Sequence, residues 1–117
     1  MTEVFVFGSN LAGRHGKGAA KDALNFHGAE YGVGCGPTGS SYAIPTKSKS
    51  LKVLPLHIIE GHIRDFLEYA EGQAKDTFVL TPIGCGLAGY ARAEIWAVLK
   101  SQGVPENVRL ASTWVTP

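Results

Sequence analysis

The stretch TFVLTPIGCGLAGYARAEIWAVLKSQ, residues 77–102, carries three signals in one run. Its head, residues 77–82, strings β-branched, aromatic and aliphatic side chains together without polar alternation, which predicts a strand buried on both faces. Its tail, residues 91–102, reads as a helix, ended by Gly103 and Pro105. Between them lie Gly84, Gly86 and Gly89, three glycines within six residues. A strand-to-helix junction with so little side chain either only turns, or lets something come very close to its backbone.

The same sequence of signals occurs elsewhere along the chain. EVFVF (3–7) predicts a second buried strand. It is followed by the glycine-rich GSNLAGRHGKGAA and then a helix over 16–29, with Ala19, Ala20, Ala23 and Leu24 as its small apolar face. SYAIP (41–45) predicts a short strand. Residues 54–74 predict a helix, with Ile59, Ile63, Phe66, Leu67 and Ala70 on one side and Pro55 in the first turn. VRLAS (108–112) predicts a last strand, and Trp96 and Trp114 read as packing residues. Strands alternating with helices predict an α/β layered fold with a largely parallel sheet.

A chain of 117 residues is one domain, spanning 1–117, with room for a single modest core. Hydrophobic residues make up 44% and charged residues 18%, an ordinary globular balance. The formal net charge of +1 creates no demand for a nucleic-acid or membrane partner, although it leaves room for a local basic patch. No apolar run is long enough for a membrane span, and the first residues lack a signal-peptide layout. Cys35 and Cys85 are therefore expected as free thiols in a reducing, cytoplasmic setting. They have no CxxC partner, and His57 and His62 fall on different helix faces, so no metal and no cofactor is expected. Glycine is the unusual component, with 15 residues gathered in loops between the periodic segments.

Both major glycine loops, 8–18 and 82–90, follow buried strands and open helices. In open α/β sheets ligands bind at that edge. Helix starts offer unpaired N–H donors and a positive dipole end, which favour phosphate. Glycine removes the Cβ that would hold a phosphate off the backbone. Two such loops side by side suit a diphosphate. GCGLAG (84–89) also fits G-x-G-x-x-G, but it comes late in the chain and lacks the acidic residue that follows a second strand, so a dinucleotide fold is rejected.

These residues resemble the macro domain, a module that binds ADP-ribose. VFVFGSN resembles the strand ending in that family's Asn, here Asn10. AGRHGKGAA resembles its first glycine loop, beneath the distal ribose, and PIGCGLAGY its second, around the diphosphate. More specifically, YAIPTK together with IGCGL resembles the branch containing the terminal ADP-ribose glycohydrolase and the antitoxin that strips ADP-ribose from DNA. The resemblance spans about residues 4–112. It implies a compact three-layer α/β/α fold with a mixed, largely parallel sheet. It implies ADP-ribose, or an ADP-ribosylated protein or nucleic acid, as partner; no membrane partner is expected, from the lack of a long apolar run. The ligand-binding residues it implies are Asn10, Gly13, Arg14, His15, Gly16, Gly18, Ala19, Gly84, Cys85, Gly86, Leu87, Ala88, Gly89 and Tyr90. The sequence departs from the branch at Ala88, where protein-acting members carry Asp. For the acid that contacts adenine it offers only Glu3 or Asp22.

Lys47 is the catalytic residue that the resemblance implies. Release of ADP-ribose breaks a bond at C1 of the distal ribose, through an oxocarbenium-like state. A neutral lysine amine can attack such a carbon and form a transient adduct. On spacing alone Lys47 is instead a solvated lysine beside Lys49 and Lys52. His15 is a ribose contact or base, or an exposed loop histidine. Cys85 is a nucleophile whose pKa falls at a helix start, or a small side chain packed beneath the loop. Phe26 or Tyr90 stacks on adenine or ribose, Tyr90 being better placed. Two functions stay open: an ADP-ribosyl glycohydrolase, and a non-catalytic reader of ADP-ribose or a related nucleotide.

Overall fold

A computed structural model describes residues 2–86 and 88–115. Strand β1 (Glu3–Asn10) lies at the centre of a five-stranded sheet with β2 (Gly36–Thr38), β3 (Ser41–Lys47), β4 (Thr77–Leu80) and β5 (Val108–Leu110), in the order β2-β3-β1-β4-β5. β1 runs parallel to β3 and β4, and β4 parallel to β5; β2 alone is antiparallel, to β3. The sheet is mixed and mostly parallel.

The helices cover both faces. α1 (Gly18–Phe26) sets Ala20 and Ala23 against Phe7 and Ala43. On the other face α2 (Leu56–Glu71) and α3 (Arg92–Gln102) close over Val6, Ile44, Phe78 and Leu80. Alternation along β1 decides which side chain goes where: Phe5 and Phe7 face α1, and Val4 and Val6 face α2 and α3. Full burial of Phe66, Phe78 and Leu80 contributes about 1.5–3 kcal/mol each to this three-layer α/β/α arrangement.

The layering follows from handedness. The chain moves from β1 through α1 to one side of β1, then returns from β3 through α2 to the other side. Right-handed crossovers in opposite directions must use opposite faces of a sheet. The direction reverses beside β1, so the crevice between the carboxyl ends of β1 and β4 is the topological switch point.

Most predicted elements are present with altered bounds. The helix expected over 16–29 is Gly18–Phe26; Gly18 enters it at φ 60° and Gly28 leaves at φ 71°, conformations that cannot continue a right-handed helix. The helix expected over 54–74 is Leu56–Glu71, with Pro55 just before its first turn. The strand expected over 41–45 continues to Lys47, and those expected over 77–82 and 108–112 end at Leu80 and Leu110. After Leu110 the chain folds into a single 3-10 turn, Ser112–Trp114, tied back by the Trp114 indole N–H donating to the Leu80 carbonyl at 2.7 Å. Trp114 stacks edge-on against Trp96 of α3, the packing role expected of both. β2 had no forecast in the sequence.

Candidate functional site

Both glycine loops rise from the switch point. Val6 and Leu80 are register partners, and beyond them the Thr81 N–H and hydroxyl both donate to the Val6 carbonyl. The loops then meet without side chains between them: a Cβ on Gly8 would stand 3.4 Å from the Gly84 nitrogen.

In the first loop the Asn10 side chain is committed to the backbone. Its Oδ1 accepts from the Arg14 N–H at 3.0 Å and its amide donates to the Arg14 carbonyl at 2.9 Å, closing residues 10–14 into a ring. Segment 30–34 braces that ring from outside. The Gly32 N–H donates to the Gly13 carbonyl at 2.7 Å, and the Ser9 hydroxyl to the Gly34 carbonyl. The packing leaves no room for side chains: a Cβ on Gly34 would fall 1.9 Å from the Asn10 carbonyl oxygen, and one on Gly13 2.2 Å from Gly32.

His15 is 1% exposed, so it is not the exposed loop histidine that was one of its two readings. Its ring lies edge-on to Phe7 and Tyr31, its Nε2 is 3.0 Å from the Glu30 carbonyl, and its Nδ1 is buried with no partner among the described residues. Arg14, Gly16, Lys17 and Gly18 are exposed around it. α1 starts without a side-chain cap; the Lys21 N–H donates to the Lys17 carbonyl, and in the first turn the N–H groups of Gly18 and Ala19 are left to donate to an anion. Ala19 lies in that turn and is half-buried.

In the second loop the backbone is partly self-satisfied. The N–H groups of Cys85, Gly89 and Tyr90 donate to the carbonyls of Pro82, Gly86 and Gly84. Those of Gly84, Gly86 and Ala88 bond no described residue; Gly84 is buried, and Gly86 and Ala88 are the donors open to a ligand. Leu87 lies outside the described residues. Gly86 is exposed, and a Cβ there would meet nothing within 4 Å. The start of α3 is less open, because Glu94 accepts from the Ala91 N–H at 3.0 Å. That carboxylate opposes an anion at this helix end, so the phosphate-binding capacity of the second loop resides in the loop itself.

Tyr90 packs its ring 3.6 Å from the Cβ position of Gly84, and its hydroxyl donates to the Leu54 carbonyl at 2.7 Å. It joins the second loop to the segment following β3. Cys85 donates to the Ile83 carbonyl at 3.5 Å. Burial pushes its thiol above the ordinary cysteine value, with Arg92 opposing and Glu94 adding to the rise. The lowered pKa expected of a nucleophile at a helix start is therefore not found. Glu3, one of the two acids weighed for adenine, sits at the amino end of β1 and pairs with Arg109 at 3.0 Å, on the opposite edge from both loops. Asp22 is exposed on α1, and Phe26, 76% exposed, ends that helix.

Lys47 ends β3 beside Asn10, its register partner on β1. The Leu11 N–H donates to the Lys47 carbonyl at 2.9 Å. The lysine is half-buried and pairs with no carboxylate among the described residues. The fold thus brings the end of β3 and the first glycine loop together. Sequence reasoning did not foresee the brace at 30–34, nor the hairpin that follows Lys47. Two glycines facing tight loops, Gly32 and Gly34, were the available signal for the brace.

Two recesses lie elsewhere. One, about 580 Å³, is lined by Glu71, Gln102, Val104 and Asn107 among others, beyond the amino ends of β4 and β5. Among the described residues no group of three or more His, Cys, Asp or Glu is placed to hold a metal ion, and no helix is long and apolar enough to cross a membrane. No family model, curated protein or solved structure matches the chain.

Proposed function

We propose that the carboxyl edge of the sheet binds ADP-ribose, free or carried on a protein or nucleic acid, and that Lys47 releases it from the carrier. One observation carries the binding half: two glycine loops abut at the switch point, Gly8 against Gly84, with unpartnered N–H groups at Gly84, Gly86, Ala88 and the uncapped start of α1. Unpartnered donors on bare backbone, beside a positive helix end, suit a diphosphate. In this reading Asn10 shapes the first loop around the distal ribose through its two bonds to Arg14.

The catalytic half rests on the neighbouring positions of Lys47 and Asn10. The neutral amine attacks C1 of the distal ribose. The bond from C1 to the carrier breaks, and its electron pair leaves with the carrier atom, which takes up the proton given up by the amine. Water then hydrolyses the adduct, returning the amine and freeing ADP-ribose.

A second reading, a reader that binds without turnover, is favoured by one feature. At this edge, segments 8–20, 46–54 and 81–91 contain no Asp or Glu; its acids are Glu30 in the outer brace and Glu94 in the first turn of α3. Glycosidic cleavage ordinarily relies on carboxylates. Calorimetric titration with ADP-ribose, AMP and NAD tests the binding half. ADP-ribose is expected to bind tightest, and Asn10→Ala to weaken it far more than AMP, which has no distal ribose. No heat with ADP-ribose would refute both readings. Binding without release from modified protein or DNA would leave the reader.

A further inference from the structure

Immediately after Lys47 the chain makes a tight hairpin. Lys47 bridges Val53 in antiparallel fashion, the Ser48 N–H donates to the Lys52 carbonyl at 2.8 Å, and the Leu51 N–H donates to the Ser48 carbonyl at 3.0 Å. The Ser48 hydroxyl accepts from the Lys52 N–H at 3.3 Å, which stiffens the turn. Its loop is three residues, Lys49-Ser50-Leu51. Hairpins of this length place a left-handed residue last, and glycine is the usual choice. Here that residue is Leu51, at φ 64°, the only described non-glycine residue with positive φ. A bulky aliphatic side chain in this conformation is strained. Burial does not explain it: Leu51 is 40% exposed and Val53 44%.

The surroundings are basic. The segments at the carboxyl edge, with the first turn of α3, hold Arg14, Lys17, Lys47, Lys49, Lys52 and Arg92 against Glu30 and Glu94, a net +4. The rest of the chain holds five basic and eight acidic residues, a net −3, so a nearly neutral protein is polarised along its strands. Arg14, Lys17, Lys47, Lys49 and Lys52 pair with no carboxylate among the described residues. On the same edge Tyr31, 62% exposed, flanks the first glycine loop, one residue before the Gly32–Gly13 bond.

We propose that the Lys47–Val53 hairpin is a docking ridge for single-stranded nucleic acid. Lys49 and Lys52 meet phosphates, and Leu51, Val53 and Tyr31 meet sugar and base faces. An acidic peptide would need the charges alone. Lysines interleaved with exposed aliphatic and aromatic side chains, one of them held in a strained turn, match a polymer that alternates anionic phosphates with flat apolar bases. This surface lies outside the glycine loops and goes beyond ADP-ribose binding. It is measured on unmodified strands, so it stands or falls whatever the ADP-ribose titration shows.

The test is fluorescence anisotropy with a labelled oligothymidylate of about 16 nucleotides, titrated at several salt concentrations, with polyglutamate as a second probe. The wild type is expected to bind the oligonucleotide, and more weakly as salt rises. Lys49→Gln with Lys52→Gln should weaken binding about tenfold and reduce the log–log salt slope by about 1.4, two single-strand phosphate contacts. Tyr31→Ala and Leu51→Gly should each weaken binding about fivefold with the slope unchanged. Leu51→Gly should also raise the melting temperature, because glycine adopts positive φ without strain. The double glutamine variant should keep its affinity for ADP-ribose. No oligonucleotide binding at low salt, equal affinity for polyglutamate, or wild-type binding by the double variant would each overturn the proposal.

Discussion

Asn10 and Lys47 are register partners at the carboxyl ends of β1 and β3, at a point where the pairing shifts by one residue after Ser9. The irregularity falls where both strands reach the carboxyl edge of the sheet. There one closes the first glycine loop, and the other offers an amine with no carboxylate partner among the described residues. Glycohydrolase activity should therefore depend on Lys47. Lys47→Ala should abolish release of ADP-ribose while holding affinity within about tenfold, since the remaining contacts come from backbone N–H groups. Lys47→Arg should also fail, because a guanidinium stays protonated. Borohydride should trap a lysine–ribose adduct in the wild type alone. Full release by Lys47→Ala would remove the mechanism.

The second loop permits a clean steric test. Gly86 has open space where a Cβ would be. Gly86→Val should leave the melting temperature unchanged and weaken ADP-ribose binding at least about tenfold, by shielding the backbone donors of the loop. Calorimetry and thermal unfolding on one sample read both effects. Unchanged affinity would mean that the loop only turns the chain.

Gly34 should behave in the opposite way. A Cβ there would collide with the Asn10 carbonyl at 1.9 Å, backbone against backbone, so neither side can yield cheaply. Gly34→Ala should cost roughly 3 kcal/mol of stability in urea unfolding. Gly16→Ala, where nothing lies within 4 Å, should stay within about 0.5 kcal/mol of the wild type.

Tyr42 supplies an alkaline signature. Burial, with Cys35, Asp65 and Tyr69 adding, pushes its phenol up to about 12. The folded pKa lies above the unfolded one, so the folded state holds the proton more tightly. The contribution is complete below about pH 10 and is lost as pH rises through about 12. Absorbance at the tyrosinate band should show one late-titrating tyrosine, absent in Tyr42→Phe. The variant should also lose stability less steeply between those pH values. Four tyrosines titrating together in the folded protein would contradict the assignment.

The sequence made the frame legible because its long elements bury continuous apolar runs: VFVF in β1, and Ile59, Ile63, Phe66 and Leu67 in α2. β2 was illegible because Gly36-Pro37-Thr38 has no strand propensity, and exists only through its pairing with Ser41–Ala43. The glycine loops could be placed from order alone. The state of their contents could not. His15 is buried because Phe7 and Tyr31, from separate segments, converge on it, and the N–H groups of Cys85, Gly89 and Tyr90 are consumed by the second loop's own carbonyls. Local sequence gives no account of such long-range or cyclic partners. The hairpin after Lys47 was hidden for another reason: lysines and serines read as a solvated loop, and the left-handed Leu51 runs against every turn rule.

The central position of β1 also sets a schedule for synthesis. β1 is made before both strands that must flank it: Phe5 waits for Ser41, and Val6 for Leu80. Until β4 has been made, an apolar strand stands with an open hydrogen-bonding edge, the situation that invites pairing with other nascent chains. A nascent chain stalled before β4 should therefore engage chaperones or aggregate, and release of β4 should be the event that commits the domain to fold.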